Sequence, residues 1–388
     1  MTMTKKFLPF HLPEIGREEK KEVMNCLDSG WLTMGPRVKD FEEAFRAHSG
    51  ARHAIAVSSC TAALHLSLVA LGVKPGDEVL TTPYTFAATA NAIIHCGAKP
   101  VFVDIDRETY NIDPARLEEK ITRRTKGILV VHFGGHPCDM DAINAVARRR
   151  RLFVVEDAAH ALGARYRGRK VGTLGDAGCF SFYATKNITT GEGGMITTRS
   201  AAAAEKMRVY LLHGINKDAW KRYSRQGSWK YDVVFPGFKY NMADIQAAMG
   251  VPQLKKLPAM AAACKKHVAF YNAAFAGCPE LTLPTVKPWA EPSWHLYPVL
   301  LGLEKLKIGR DEFIEKMKQA GIGCSVHFIP FHRHSFYRKA YGLKAKDYPN
   351  CEYVYSRTVS LPLYSRMKKS DAARVAAAVK AIIAGNRR

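Results

Sequence analysis

One lysine of this chain lies where a strand is expected to give way to a glycine-rich turn. Residues 180–194 read FSFYATKNITTGEGG, and Lys186 is the single lysine among them. An isolated lysine is usually a solvated surface charge. An amine at such a junction can instead act as a nucleophile or a base if burial or nearby positive charge lowers its pKa. The segment therefore points to covalent or proton-transfer chemistry only if other groups accompany Lys186.

A second segment supplies those groups. Residues 154–160 read VVEDAAH, an apolar run that ends in Glu156 and Asp157, with His160 three residues farther on. An ionised carboxylate at the end of a buried strand is costly unless it meets a cation, such as a protonated pyridine nitrogen. In parallel α/β sheets, ligands gather at the carboxyl ends of the strands. We therefore expect Asp157 and Lys186 to serve one site.

Short β-branched runs alternate with helical patterns over the first two-thirds of the chain. Strands are predicted at residues 53–58, 78–82, 100–104, 127–132, 152–156, 178–183 and 194–198. Helices are predicted at residues 61–71, 86–95, 114–121 and 140–149. This alternation predicts an α/β domain in which helices cover both faces of a mostly parallel sheet.

The pattern changes after about residue 250. A long helical pattern runs from residue 242 toward 275, with Pro252 and Pro258 interrupting it. Strands at 295–301 and 323–328 and helices at 310–319 and 370–383 are then predicted. These elements indicate a smaller α+β domain, so we divide the chain into a large domain (1–255) and a small C-terminal domain (256–388).

Composition limits the classes of partner. Lys and Arg number 58 against 35 Asp and Glu, a formal net charge of +23 that attracts anions. Because the basic residues are spread along the chain and no nucleic-acid recognition motif is present, we expect no nucleic-acid partner. The same charge would favour an anionic cofactor and substrate. A non-enzymatic regulator that binds nucleic acid or other anions on this scaffold is kept as an alternative.

Several kinds of site are absent from the sequence. Nine cysteines occur singly, without C-x-x-C pairs, which argues against a disulfide framework or a Cys-based zinc site. No H-E-x-x-H, no G-x-x-x-x-G-K and no G-x-G-x-x-G motif occurs, so we expect no metal and disfavour a Rossmann oxidoreductase. No apolar run reaches membrane-span or signal-peptide length, so we expect a cytoplasmic protein without a membrane partner.

Five segments together resemble the sugar aminotransferases of the DegT/DnrJ/EryC/StrS family. They are the two segments above and residues 30–36 (GWLTMGP), 56–65 (AVSSCTAALH) and 237–248 (GFKYNMADIQAA). Matching stretches run from about Phe7 to the C-terminus. The resemblance implies a fold type I aminotransferase that uses pyridoxal 5'-phosphate (PLP), with pyridoxamine 5'-phosphate (PMP) as its second form.

The resemblance also assigns roles around the cofactor ring. Lys186 matches the Schiff-base lysine that also moves the proton, and Asp157 matches the partner of the pyridine nitrogen, which lets the ring accept electrons. His160 is implied to lie beside the ring. Phe86, in PYTFA, corresponds to the aromatic side chain that stacks on it. For Phe86 an ordinary core position stays open.

Phosphate binding is implied at the start of the helix at 61–71, where free N–H groups favour an anion. Cys60 and Thr61 would contact the phosphate there, and Ser181 would add a hydroxyl. The family usually has Gly where Cys60 stands, which would matter if the backbone were strained. Asn241 matches a residue that reaches the phosphate from the neighbouring subunit, which implies a homodimer with shared active sites.

Substrate contacts are implied less directly. Residues 323–332 (GCSVHFIPFH) resemble a small-domain segment whose histidines face the sugar, which points to His327 and His332. Trp31, Thr33 and Tyr84 are predicted in loops that border the same cleft. For each of these residues, packing or a surface loop is an open alternative.

The implied reaction is a ping-pong transamination between L-glutamate and a nucleotide-linked keto-deoxy sugar. Residues 131–137 (VHFGGHP) and the segment at 237–248 are closer to relatives that act on 4-keto sugars, including those making 4-amino-4-deoxy-arabinose, so we expect amination at C4 of a UDP sugar. Amination at C3 is an alternative. A PMP-dependent sugar dehydratase is another, but such relatives carry His at the position of Lys186.

Overall fold

A seven-stranded sheet organises the larger part of the computed structural model, which describes residues 6–216 and 230–388. The α-helices are α1 (Arg17–Asp28), α2 (Pro36–Ser49), α3 (Cys60–Ala70), α4 (Ala87–His95), α5 (Met140–Arg150), α6 (Ala201–Tyr210), α7 (Asp244–Phe275), α8 (Arg310–Gln319), α9 (Ser335–Tyr341), α10 (Pro349–Arg357) and α11 (Lys369–Ala384). The strands are β1 (His53–Val57), β2 (Glu78–Thr81), β3 (Lys99–Phe102), β4 (Thr125–Val131), β5 (Phe153–Asp157), β6 (Arg165–Tyr166), β7 (Arg169–Lys170), β8 (Ala177–Ser181), β9 (Gly194–Thr198), β10 (Leu281–Thr282), β11 (Ala290–Glu291), β12 (Tyr297–Leu301) and β13 (Thr358–Leu361).

The large sheet is mostly parallel, as predicted. Its strand order is β1-β9-β8-β5-β4-β2-β3, and β9 runs antiparallel to both of its neighbours while the other pairs are parallel. Strands β4, β5 and β8 therefore end at the same edge. The residues that follow them are brought together there.

Alternate residues of the central strands face opposite layers of helices. Ile128 and Val130 of β4 belong to a buried cluster that includes Phe41 of α2, whereas Leu129 belongs to one that includes Leu64 of α3. Side chains alternate across a strand, so an uninterrupted apolar run buries both faces. Each such side chain contributes about 1.5–3 kcal/mol. The two clusters therefore bury both faces of the sheet.

The C-terminal part forms its own antiparallel sheet, β10-β12-β13. Tyr271 of α7, Phe313 of α8 and Val375 of α11 are buried in one cluster with strands β12 and β13. The boundary proposed at residue 255 falls inside α7, and the division into 1–255 and 256–388 remains a proposal. The interruption predicted at Pro252 and Pro258 is wrong. Helix α7 continues through both prolines because it packs against α1 and α2.

Two further element predictions are wrong. Residues 114–121 form two short 3-10 turns, because Leu117 is their one buried side chain and a helix needs an apolar stripe. Residues 323–328 form no strand. The isolated bridges Leu8↔Ile322 and Ser325↔Ser360 hold the chain there. Among the helices of the described residues, none is both long and apolar enough to cross a membrane.

Candidate active site

A cavity of about 490 Å³ lies at the carboxyl edge of the large sheet. Eight of the residues selected from sequence line it: Cys60, Thr61, Phe86, Asp157, His160, Ser181, Lys186 and His327. The wall also includes residues that the sequence did not single out, among them Phe10, His11, Ser59, Thr85, Thr89, Glu192, His295 and Phe328. The two segments selected first therefore do meet in one cavity.

Lys186 stands in the turn that follows β8. Its N–H donates to the carbonyl of Tyr183 at 2.9 Å, which fixes the backbone of the turn. Desolvation by burial lowers the pKa of the Lys186 amine to about 8, while Cys60 and Asp157 oppose that shift. An amine with this pKa is partly neutral near pH 7 and can act as a nucleophile or base.

Asp157 ends β5 and is buried. Its Oδ2 accepts from Oγ1 of Thr89 at 2.9 Å, and its Oδ1 accepts from the N–H of Ala159 at 3.2 Å. Burial raises the pKa of the Asp157 carboxyl, and both hydrogen bonds oppose this. Within residues 6–216 and 230–388, the carboxylate forms no salt bridge. A cationic ligand group in the cavity would offset its desolvation.

The neighbouring carboxylate, Glu156, points away from the cavity and secures the strand. It accepts from the N–H groups of Gly172, Leu174 and Gly175 at 2.7–2.8 Å. It also lies 3.1 Å from Nε2 of His132, which donates because the Nδ1 atom of His132 accepts from Cys138. Glu156 is completely buried. It therefore connects β5 to the loop before β8.

We expect Glu156→Ala to destabilise the protein by at least about 3 kcal/mol, because three buried N–H groups lose their acceptor at roughly 1–3 kcal/mol each. Urea unfolding followed by circular dichroism measures this loss. Glu119→Ala, at an exposed carboxylate, is the matched control and should change the free energy of unfolding little. A loss below about 1 kcal/mol in Glu156→Ala would contradict this account.

His160 supplies a neutral imidazole to the cavity wall. Its Nδ1 accepts from the N–H of Gly134 at 3.3 Å, so Nε2 carries the proton. Its ring lies 4.3 Å from that of His295 and stacks at 5.6 Å on Phe328. Burial and the charge of Lys186 hold the pKa of His160 well below its ordinary value.

The N-terminus of α3 forms another part of the cavity wall. Oγ of Ser59 accepts from the N–H of Ala62 at 3.1 Å and caps the helix. Cys60 is the first residue of α3, so its backbone is helical and needs no glycine. A Cβ at Gly194 would lie 2.6 Å from the backbone of Ser59, which explains one glycine of the turn. Free N–H groups and the helix dipole make this end suitable for a phosphate.

Two residues predicted to contact substrate are held elsewhere. Tyr84 is fully buried, and its hydroxyl donates to the carbonyl of His327 at 2.5 Å. His332 is buried, pairs with Glu352 of α10 and stacks on Tyr348. Neither lines the cavity, so those two predictions need correction. Tyr84 supports the backbone that carries His327.

Three other predicted residues lie outside the cavity of this chain. Trp31 and Thr33 are in the loop between α1 and α2, where the carbonyl of Thr33 accepts from the N–H of Asp244. Asn241 pairs with Val57 through an isolated bridge beside the end of β1. Its Oδ1 is buried and has no hydrogen-bond partner in the described part of the chain. None of the three residues lines the cavity of its own chain, so their predicted contacts with phosphate and substrate remain predictions.

Sequence reasoning missed two histidines of the wall. Burial and the charge of Lys186 lower the pKa of His11 to about 4 and that of His295 far below its ordinary value. Both come from segments far from Lys186 in sequence, and a lone histidine carries little signal. Thr85 and Thr89 lie on either side of the start of α4, near Phe86. Side chains four residues apart on a helix can contact each other, so this spacing is the sequence signal that could have identified the pair.

Comparisons with known proteins agree with this geometry. The profile of the DegT/DnrJ/EryC1/StrS aminotransferase family matches residues 13–380. The chain is 52% identical to the spore coat polysaccharide biosynthesis protein SpsC of Bacillus subtilis, over 98% of each chain.

Two solved structures match nearly the whole chain. Spr1654 of Streptococcus pneumoniae, whose name proposes a sugar aminotransferase, matches in its PMP form with 33% identity and a TM-score of 0.92, over 97% of this chain and 99% of its own. Its PLP form matches as well. PseC of Helicobacter pylori, an aminotransferase of pseudoaminic acid biosynthesis, matches with 31% identity and a TM-score of 0.91, over 98% of this chain and 100% of its own.

The chain belongs to the DegT/DnrJ/EryC1/StrS aminotransferase family. It is a PLP-dependent sugar aminotransferase of fold type I. The cavity fits that cofactor, because a buried carboxylate that pairs with no cation of the described residues, an amine of lowered pKa and a helix N-terminus face one space. These groups suit a ring nitrogen, an aldehyde and a phosphate respectively. Within the described residues, no cluster of His, Cys, Asp or Glu could hold a metal ion.

Proposed function

We propose that this enzyme transfers an amino group from L-glutamate to C4 of a UDP-linked 4-keto sugar. The observation that carries the catalytic part is the meeting of Lys186 and Asp157 in one cavity, the first with a lowered pKa and the second without a salt bridge to any described residue. The choice of C4 and of UDP rests on the resemblance of residues 131–137 and 237–248 to 4-keto-sugar enzymes.

The positions of four residues in the cavity support the roles proposed for them at the cofactor ring. Nζ of Lys186 holds the cofactor covalently, and Asp157 pairs with its ring nitrogen. Phe86, 65% exposed at the cavity, is free to cover one face of the ring. His160, neutral and oriented by Gly134, serves the ring edge or the other face. When bound, PLP supplies an electron sink for the carbon that loses its proton.

Lys186 also acts as the base. With its pKa near 8, its Nζ would take the proton from the donor carbon that bears the amino group and deliver it to the cofactor carbon, and it would move a proton in the opposite direction, from that carbon to the sugar carbon, in the second half-reaction. The imidazoles of His160, His295 and His327 around Lys186 have lowered pKa values and are neutral near pH 7. They therefore add no positive charge beside the amine and do not compete with it as proton donors. His327 is the substrate-facing histidine that lines the cavity.

The phosphate would occupy the N-terminus of α3, contacted by Cys60, Thr61 and Ser181. Asn241 would reach the phosphate of a partner subunit, which would give a homodimer with shared sites. The absence of Asn241 from the cavity of its own chain supports this assignment, in which the Nδ2 group of its amide would donate to the phosphate. Trp31 and Thr33 would approach the substrate in the same assembly.

Incubation with PLP, L-glutamate and UDP- or dTDP-linked 4-keto and 3-keto sugars tests the proposal. NMR of the product locates the new amine, and formation of 2-oxoglutarate reports use of the donor. We expect a C4 amine on the UDP sugar. Amination at C3, a preference for dTDP, or no turnover with glutamate while another amino acid works would each overturn the corresponding assignment.

The lowered pKa of Lys186 predicts how PLP capture by apoenzyme depends on pH. Roughly a tenth of such amines are neutral near pH 7, against fewer than about one in a thousand for an ordinary lysine. The capture rate should therefore rise with pH and level off above about 8. Stopped-flow absorbance measures the rate, and Nα-acetyl-lysine is the control, whose rate should rise past pH 9. If the pH midpoint of PLP capture by the apoenzyme were as high as that of Nα-acetyl-lysine, the lowered pKa of Lys186 would be contradicted.

A further inference from the structure

The hydroxyl groups of Thr85 and Thr89 form a chain that ends on Asp157. Oγ1 of Thr89 lies 2.9 Å from Oδ2 of Asp157, and Oγ1 of Thr85 lies 2.9 Å from Oγ1 of Thr89. All three side chains are buried and all three line the cavity. Helix α4 begins between the two threonines. The chain of hydroxyls is therefore held by the same turn that carries Phe86.

The protonation state of Asp157 sets the direction of these hydrogen bonds. A hydroxyl has one hydrogen to donate, and an ionised carboxylate only accepts. Thr89 therefore gives its hydrogen to Asp157 and accepts one from Thr85. A second donor, the N–H of Ala159, reaches Oδ1 at 3.2 Å. The arrangement stabilises the ionised form of Asp157, because hydrogen bonds to a charged acceptor are stronger than those to a neutral one.

We propose that Thr89, oriented by Thr85, is a positioning residue that keeps Asp157 ionised and leaves its remaining lone pairs to the ring nitrogen of the cofactor. The inference rests on the proposed role of Asp157. It gives a part in the reaction to two threonines that lie outside both the segment of Lys186 and the segment of Asp157.

The surroundings of Asp157 show why such a donor matters. Burial is the largest influence on the pKa of Asp157 and raises it, while Thr89, Ala159, Lys186 and His132 lower it. Among the described residues, Asp157 also interacts electrostatically with three thiols, those of Cys60, Cys138 and Cys179. Burial raises the pKa of each thiol, so all three stay neutral near pH 7. Thr89 is the side-chain hydroxyl that opposes the desolvation directly.

The test compares Thr89→Val with Thr89→Ser in PLP-loaded enzyme. One readout is the rate of PLP release after dilution, and the other is the pH midpoint of the acid side of kcat. For Thr89→Val we expect release on the order of tenfold faster, since a hydrogen bond to a charged group is lost. We also expect the acid midpoint to rise by about one pH unit, because Asp157 then holds its proton to higher pH. Thr89→Ser should restore both values.

Thr81→Val is the matched control. Thr81 is also buried, and its hydroxyl donates at 2.8 Å to the carbonyl of Leu129, away from Asp157. The Thr81→Val variant should have a lower free energy of unfolding, but the pH midpoint of the acid side of kcat should not move. If Thr89→Val does not fold, Thr85→Val carries the test with a smaller shift in the same direction.

The outcomes separate this inference from the proposed function. If the wild-type enzyme binds PLP but Thr89→Val keeps the wild-type release rate and pH midpoint, or changes no more than Thr81→Val, the role of Thr89 is overturned alone. If the wild-type enzyme binds no PLP, the proposed role of Asp157 fails first.

Discussion

Lys186→Ala is expected to lose transamination by at least about 10²–10⁴-fold, because the variant lacks both the amine that holds PLP and the base that moves the proton. The absorption band of lysine-bound PLP should be absent, although PLP or PMP can still occupy the cavity without a covalent bond. Turnover of glutamate with a keto-sugar substrate gives the first result, and the spectrum of the purified variant gives the second.

The control for Lys186→Ala is Lys380→Ala, at an exposed lysine of α11. It should keep both the band and the activity. Lys186→Arg retains the positive charge, and it should be as inactive as the alanine variant, because a guanidinium stays protonated and cannot act as a base near neutral pH. Activity in either Lys186 variant within tenfold of the wild-type value would show that another residue is the base.

Asp157→Asn is expected to reduce turnover on the order of 10²–10³-fold while preserving the fold, because an amide cannot pair with a protonated ring nitrogen as a carboxylate does. Burial raises the pKa of Asp157, so the folded apoenzyme holds the proton more tightly than the unfolded chain. This contribution to stability is present at low pH and declines as the pH rises through the folded-state pKa. The apoprotein of Asp157→Asn should therefore be at least as stable as the wild type at pH 7.

Thermal unfolding of the apoproteins at pH 4, close to the ordinary pKa of an aspartate, and at pH 7 measures that comparison. The wild type should lose more stability than Asp157→Asn between these two pH values. Asp311→Asn, at an aspartate whose side chain is 87% exposed, should match the wild type in turnover and Tm. A variant Asp157→Asn that is both fully active and less stable at pH 7 would show that the carboxylate has a structural role only.

The sequence was most informative where the chemistry lies at the ends of neighbouring strands. Asp157 ends β5 and Lys186 follows β8, and parallel pairing of these strands places both at one edge. We expected these two residues to lie close together from an apolar run that ends in a carboxylate and from a lysine before a glycine-rich turn, and both line one cavity. The start of α3 was found for the same reason, since it follows β1 at that edge.

Contacts between distant segments were not predictable in the same way. His332 was expected to face the sugar, but Glu352, twenty residues later on α10, holds its ring. His11 precedes the strands of the large sheet along the chain, and His295 follows them. Both line the cavity, and no local sequence pattern identifies either residue. The local propensity of Pro252 to break a helix was overcome by the packing of α7 on α1 and α2.

The residue to which the cofactor is covalently attached can be identified chemically. Wild-type enzyme is loaded with PLP, treated with borohydride to make the attachment permanent, digested, and examined by mass spectrometry. We expect one pyridoxyl group on the peptide that contains Lys186, and none after prior incubation with L-glutamate, which releases the lysine. A pyridoxyl group on another lysine, or on no peptide of an enzyme that shows the PLP band, would contradict it.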